Sequence, residues 1–478
     1  MSTETNVGEK AIQDTQVTGV TSQGRELHGR LIRVTRFVAV FDLFTPELVV
    51  RLSEVLSDFK ILLNGRTVYS GRAVISKIVP TGISQLCEVE LDDSWIDITD
   101  FSAAATGSAH SRFSEFFEQW QRIYRVRPEF KVVVADMQTF LTDLRLWLEQ
   151  MELEIRSKPE GDRTAREREV AEKLAPSTAR VLTELFERFE HSLLDLEPGL
   201  QAVHQVFARR QLHPMLLSSP FLYRTFAKPL GYAGDYEMVN MIMRDPFEGG
   251  SLYSKIVNHW FWQQAPAEAH RNRIKYLTDQ ITAQALRARQ KGRKARVANL
   301  GCGPAHEVQR FIQQSPYTEH VEFFLLDFNP ETLEYVKKVI NSLKRSYEKP
   351  FGMHLIKKSV NQVLKESGKR VERFASEQYD FVYCAGLFDY LADPICQKLT
   401  DVLYDWVAPG GTLVTTNVDT SNPRIITMNY IMEWHLIYRS GAELFALKPR
   451  SADPENCAVT SDVTGVNVYF EATRPNRA

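Results

Sequence analysis

The stretch ARVANLGCGPAHEVQRF, Ala295 to Phe311, constrains the fold of this chain more than any other. A short apolar run meets two glycines one residue apart, and a helical pattern begins at once. Gly301 and Gly303 lack the Cβ atoms that would block close approach to the backbone. The N-terminus of the following helix favours an anion. The stretch predicts a buried strand, a ligand loop and a helix of an α/β unit. Its ligand is a phosphate, a dinucleotide or an amino-acid carboxylate.

The segments that follow narrow the choice. VEFFLLDFNPETLEYV reads as a second strand ending in Asp327, then a helix, and Asp327 lies 24 residues after Gly303. In nucleotide-binding α/β units an acid near that spacing accepts hydrogen bonds from ribose hydroxyls. A dinucleotide fingerprint wants a third glycine where His306 stands, which argues against NAD or FAD. No lysine follows the glycines in the manner of a P-loop. EQYDFVYCAGLFDYL and LYDWVAPGGTLVTTNV are buried-strand patterns ending in loops, with Pro409-Gly410-Gly411 as a tight turn into the last strand.

In this order the motifs resemble class I S-adenosylmethionine-dependent methyltransferases, from about Arg296 to Ala478. The resemblance implies a Rossmann-like α/β domain with a mostly parallel seven-stranded sheet. It ends in an antiparallel strand, here within AVTSDVTGVNVYFEATRP. It also implies S-adenosylmethionine as cofactor. Asn299, Gly301, Cys302 and Gly303 would cradle the methionine part, with Asn299 where the family has an acid. Asp327 and Phe328 would meet the ribose, and Ser359, Val360 and Asn361 the adenine edge. Gly386, Leu387, Asp389 and Tyr390 would lie near the sulfonium, Asp389 alternatively capping a helix. Arg271 and Arg273, in AHRNRIKYL, would reach the methionine carboxylate or else face solvent. A strand-end carboxylate facing a cleft supports little packing, so Asp327 is expected to serve the ligand rather than the fold.

With 478 residues, two or three domains are expected. The formal charge of −2 argues against broad nucleic-acid binding. Five cysteines without a C-x-x-C pair predict neither a disulfide framework nor a cysteine zinc site, and no metal is expected. No apolar stretch is long enough to span a membrane, and a cytoplasmic location is expected.

Residues 1–26 are polar and are expected to be a disordered leader. Residues 27–100 read as a small β-barrel, with Asn64-Gly65 a hairpin turn. This segment resembles the PilZ family, which implies binding of cyclic di-GMP. The family's R-x-x-x-R and [DN]-x-S-x-x-G motifs are absent. Arg30, Arg33 and Arg36 are spaced by three, so tight cyclic di-GMP binding is not expected. Residues 98–111 read as a linker, and 112–290 as a helical cap and substrate region. There Leu182, Leu185, Phe186, Phe189, Leu193 and Leu196 share one helical face, and Ser177 is an N-cap after Pro176. Residues 291–478 form the α/β domain. Homo-oligomers through the barrel or the helical region are an open possibility.

KPLGYAGDYEMVNMI and the region after it resemble bacterial proteins of 3-hydroxypalmitic acid methyl ester biosynthesis. The implied acceptor is a small molecule, a fatty-acid-like carboxylate. Methyl transfer needs alignment and desolvation above all. A carboxylate is already ionised and needs no base, whereas a hydroxyl or amide wants one. His259, Asp235, Glu433 and His435 are the candidate bases. Tyr232, Tyr236, Tyr253, Asn429, Tyr430, Glu433 and Tyr438 are the candidate substrate contacts, and core packing is the competing role for most of them. Two rival functions are a regulatory cofactor-binding scaffold with a nucleotide-sensing barrel, and a protein or nucleic-acid methyltransferase.

Overall fold

The computed structural model describes residues 15–44, 48–63, 65–80, 85–92, 117, 125–157, 160–367 and 378–476, without the side chains of 160–162 and 367. The sequence-predicted linker at 98–111 and residues 1–14 of the leader lie outside the described residues. The described residues form two compact units. One takes them from Met1–Arg127, Leu196–Phe207 and Leu230–Tyr232, the other from Pro128–Asp195, Ala208–Pro229 and Ala233–Ala478.

The first unit is a closed barrel of β1 (Thr15–Val20), β2 (Glu26–Val34), β3 (Val38–Leu43), β4 (Val55–Leu63), β5 (Arg66–Pro80) and β6 (Gln85–Leu91). The strand order around it is β1-β2-β3-β6-β5-β4. Leu27, Phe41, Phe59, Ile61, Ile75 and Val89 are fully buried inside. Leu63 pairs with Arg66 across the predicted hairpin, and Gly65 takes a positive φ there. The predicted disordered leader needs correcting: β1 lies within it and closes the barrel by pairing with β2 and β4. Its inward residues are small because aromatic rings fill the interior. A Cβ at Gly19 would come 3.2 Å from the Phe59 ring. Low hydrophobicity hid the strand, although its alternation is of period two. Arg30 and Arg33 are exposed on β2, and Arg33 lies 3.7 Å from Glu88.

The second unit centres on a seven-stranded sheet. Its strands are β7 (Ala295–Leu300), β8 (Val321–Asp327), β9 (Gly352–Lys357), β10 (Tyr379–Cys384), β11 (Val407–Val418), β12 (Cys457–Ser461) and β13 (Asn467–Thr473). Their order is β12-β13-β11-β10-β7-β8-β9. The pairs from β11 through β9 are parallel, and β13 is antiparallel to both β11 and β12. Strands buried on both faces read as continuous apolar runs, which is why VEFFLLD and YDFVYC were legible. The Ala265–Gln290 helix packs Leu277, Ile281, Ala285 and Ala288 onto the core of Val297, Phe311 and Phe323. Each of the larger side chains among these contributes about 1.5–3 kcal/mol by leaving water.

The helices Pro128–Arg156, Glu160–Ser192 and Leu252–Trp262 pack together in this unit. The six apolar residues from Leu182 to Leu196 are all buried. The N-cap expected at Ser177 does not form, because the helix begins at Glu160 and runs through Pro176. Proline removes one interior hydrogen bond, and the apolar face beyond it holds the helix together. Among the described residues no helix is long and apolar enough to cross a membrane, and no group of His, Cys, Asp and Glu could hold a metal ion.

Candidate functional site

The carboxyl ends of β7, β8, β10 and β11 lie at one edge of the sheet, where ligands bind in open parallel sheets. The loop after β7 is folded by that edge. The amides of Gly301 and Cys302 donate to the carbonyl of Leu326, at 2.8 and 3.0 Å. The Gly303 amide donates to Asp327 Oδ2 at 3.1 Å. Both glycines have positive φ, and a Cβ added at Gly303 would meet nothing within 4 Å. The loop is thus bound from beneath and open above.

A cavity of about 140 Å³ adjoins this loop. One face of the Ala265–Gln290 helix runs along it, through Pro266, Ala267, His270, Arg273, Ile274 and Leu277. Those spacings repeat a helical turn. The end of β10 contributes Ala385, Gly386, Asp389 and Tyr390, and the segment after β11 contributes Arg424, Met428, Met432 and Trp434. Gly386 is fixed by its amide, which donates to Thr416 Oγ1 at 3.0 Å.

Arg273 is the unusual group in this cavity. Its residue surface is only 7% exposed, and among the described residues its buried Nη1 has no hydrogen-bond partner. An unpaired buried guanidinium is costly, so it marks a place for an anion. Near it, Glu307 is buried and accepts from Tyr383 Oη at 2.7 Å and Asn299 Nδ2 at 3.2 Å. Burial pushes the Glu307 carboxyl up, against the pull of these donors and Arg273. Asn299 Oδ1 has no partner. Glu307 therefore puts a carboxyl beside the position where the family resemblance expects an acid.

Asp389 also lines the cavity. It caps no helix by its side chain; its Oδ1 accepts from the Val418 amide at 2.7 Å. Burial raises its pKa to about 6, while that bond, Arg273 and Arg439 pull it down. His270 and His306 line the cavity too. Desolvation holds His270 well below the usual imidazole range and brings His306 down to about 4.

Of the expected cofactor residues, Asn299, Gly301, Cys302, Gly303, Arg273, Gly386 and Asp389 line the cavity, as does Tyr390. Leu387 stands beside the loop, its side chain 3.7 Å from where a Gly301 Cβ would be. Asp327, Phe328, Ser359, Val360 and Asn361 lie at the same sheet edge but outside the cavity lining. Asp327 Oδ1 accepts from the Asn329 amide at 2.9 Å, so its carboxylate ties together two loops. The expectation that Asp327 supports little of the fold needs correcting on that account. Arg271 is tied up elsewhere: it pairs with Glu268, donates to the Trp262 carbonyl and lies over the Trp262 ring.

The expected bases do not line the cavity. Asp235 caps the Tyr236–Met243 helix and makes a two-pronged pair with Arg224, both contacts 2.9 Å. His259 stacks on Phe247 with ring centroids 4.5 Å apart, as a core histidine would. Glu433 bonds to Arg209 and lies 3.9 Å from Lys228. His435 is buried outside the lining. The substrate-side residues are scattered as well. Tyr232 belongs to the barrel unit, with Arg51 over its ring. Tyr236 donates to Glu331 at 2.8 Å. Tyr253, Asn429, Tyr430 and Tyr438 are largely buried in packing, Tyr430 edge-on to Phe189. The aromatic and amide residues were legible as types, but their direction depends on tertiary packing.

The sequence reading missed His270, Glu307, Trp260, Gln264 and Arg424 as lining residues. The turn-by-turn spacing of Pro266, His270, Arg273 and Leu277 was the available signal for the first of these.

No protein-family model matches the chain. No curated protein matches it either. Solved structures do resemble it. A possible exported protein from Bordetella parapertussis is 16% identical, over 64% of this chain and 97% of that one, with a TM-score of 0.40. Magnesium protoporphyrin IX methyltransferase from Synechocystis, solved with S-adenosylhomocysteine, is 11% identical over 44% of this chain and 87% of that one, at a TM-score of 0.31. The N-methyltransferase NodS from Bradyrhizobium japonicum, also with S-adenosylhomocysteine, is 13% identical over 50% and 98%, at 0.30. Likenesses this distant carry no functional argument; the residues of the cavity do.

Proposed function

We propose that this chain is an S-adenosylmethionine-dependent methyltransferase acting on a small molecule. The observation that carries the reading is Arg273, a buried guanidinium with an unpaired Nη1, facing the cavity beside an open glycine loop.

The residues present fit the cofactor. Arg273 would take the methionine carboxylate, a charge-assisted contact of about 1.5–3 kcal/mol. Asn299 Oδ1 and the Glu307 carboxyl are acceptors available to the ammonium. Gly303 leaves room for the backbone to approach. Asp327, whose oxygens accept from the Gly303 and Asn329 amides, stands at the end of β8, where a ribose would lie.

When bound, S-adenosylmethionine supplies a sulfonium methyl open to in-line attack. The chain supplies alignment and exclusion of water. Its apolar wall of Phe221, Ile242, Trp260, Phe261, Met428 and Trp434 removes solvent from the reacting groups. The four candidate bases read from the sequence lie outside, which favours an acceptor already ionised, such as a fatty-acid-like carboxylate. A hydroxyl acceptor is the second reading, and His270 favours it. Its Nδ1 lies 3.3 Å from the Pro266 carbonyl, which assigns the proton there and leaves Nε2 as the acceptor nitrogen.

Incubation with methyl-labelled cofactor and cell extract, then separation into lipid, protein and RNA, tests the reading. Label in the organic-soluble fraction is expected. Label in protein or RNA contradicts a small-molecule acceptor, and cofactor binding without transfer favours a scaffold.

A further inference from the structure

A second buried arginine lines the same cavity. Arg424 is 7% exposed, follows β11, and donates through Nε to Gln264 Oε1 at 2.8 Å. Its guanidinium sits 5.6 Å from the centroid of the Trp260 ring. Among the described residues its terminal amines donate to no side chain or carbonyl. Of the carboxylates that act on it, Glu190 has the largest effect. That group is already taken up by the amides of Ile426 and Thr427, at 3.0 and 2.8 Å, and by the Thr427 hydroxyl.

Arg273 is carried by the Ala265–Gln290 helix, and Arg424 meets the start of that helix. Gln264, which holds Arg424, is its N-cap, and Arg273 lies nine residues on. At about 1.5 Å per residue the two anchor points are roughly 13 Å apart along the axis. One carboxylate at Arg273 therefore leaves Arg424 unanswered. The cavity that Arg424 lines also carries Trp260, Phe261, Met428 and Met432.

We propose that Arg424 is the acceptor-side anion handle. The acceptor is an apolar acid whose carboxylate pairs with the terminal amines of Arg424 while its hydrocarbon part lies against Trp260, Phe261, Met428 and Met432. The assignment rests on the methyltransferase reading and deepens it. It makes the site selective for charge: an acid is held, and its neutral methyl ester is not. Gln264 orients the guanidinium by occupying Nε, leaving the terminal amines for the ligand.

The test uses the full chain and calorimetric titration, in the presence of S-adenosylhomocysteine. The ligands are decanoate, cinnamate and indole-3-acetate, each paired with its methyl ester. At least one acid is expected to bind tenfold or more tightly than its ester. Arg424→Gln should lose that preference, Arg424→Lys should recover part of it, and both should bind S-adenosylhomocysteine as the wild type does, which shows them folded. Equal binding of acid and ester, no binding of any acid, or full acid affinity in Arg424→Gln overturns the assignment. If the wild type fails to bind S-adenosylhomocysteine but takes an acid through Arg424, the methyltransferase reading falls and the anion handle stands.

Discussion

The guanidinium of Arg273 occupies the space that a side chain at Gly386 would need. A Cβ built on Gly386 would lie 2.9 Å from Nη1 and 3.1 Å from Nη2. Gly386 also has φ +78, a conformation that other residues adopt only under strain. Gly386→Ala is therefore expected to cost about 1–3 kcal/mol of stability. It should also displace the guanidinium and weaken S-adenosylhomocysteine by roughly tenfold, or about 1.4 kcal/mol. Denaturant unfolding and calorimetry check the two effects, and unchanged affinity would separate Gly386 from ligand binding.

Asp327 accepts from the amides of Gly303 and Asn329, so its removal strands two donors at the loop. Asp327→Ala should lower the melting temperature without any ligand, at a cost of about 1–3 kcal/mol per unpaired amide. It should also reduce the shift that the cofactor product produces. A ligand-free melting temperature equal to that of the wild type would show that the loops hold without it.

Asp389 gives a pH signature. Its pKa rises from 3.8 to about 6 on folding, mainly by desolvation. The folded state thus binds the proton more tightly, and the stability this gives is present below about pH 4 and lost as pH rises towards 6. Above pH 6 the ionised, buried carboxylate destabilises the fold by about 3 kcal/mol at most. Asp389→Asn keeps an oxygen for the Val418 amide. It is expected to be more stable than the wild type near pH 7, with the advantage vanishing near pH 4. Melting curves across that range decide, and a constant offset would contradict the assignment.

Glu433 sits between two cations, bonded to Arg209 and 3.9 Å from the buried Lys228 Nζ, with φ +48. Glu433→Gln removes the negative charge and is expected to cost about 3–5 kcal/mol. The folded variant should bind S-adenosylhomocysteine normally. A stable variant with normal binding but no methyl transfer would return Glu433 to a catalytic role.

Much of the α/β region was legible because strands buried on both faces leave continuous apolar runs, and because the glycine loop is followed in order by the other motifs. The glycines at 301 and 303 stood out locally, whereas Arg273 entered through the family resemblance and could equally have faced solvent; all three line the cavity. Other features depended on contacts distant in sequence. β1 is a strand because Phe59 fills the barrel beside Gly19. Asp235 is no free base because Arg224 pairs with it. Arg424 lines the cavity because Gln264 holds its Nε. None of these partners lies within a helical turn, so no periodicity announces them. Helix caps were a further blind spot, since the Glu160–Ser192 helix runs through the proline taken as its start.

The central claim, that Arg273 and the glycine loop hold S-adenosylmethionine, is tested most directly by titrating S-adenosylhomocysteine into wild type and Arg273→Met. Methionine fills the buried space without the charge. The account predicts clear binding to the wild type and a loss of roughly ten- to hundredfold in the variant, about 1.5–3 kcal/mol, with stability equal or improved because an unpaired buried charge is gone. Wild type that binds no S-adenosylhomocysteine, or a variant that binds it undiminished, would contradict the account.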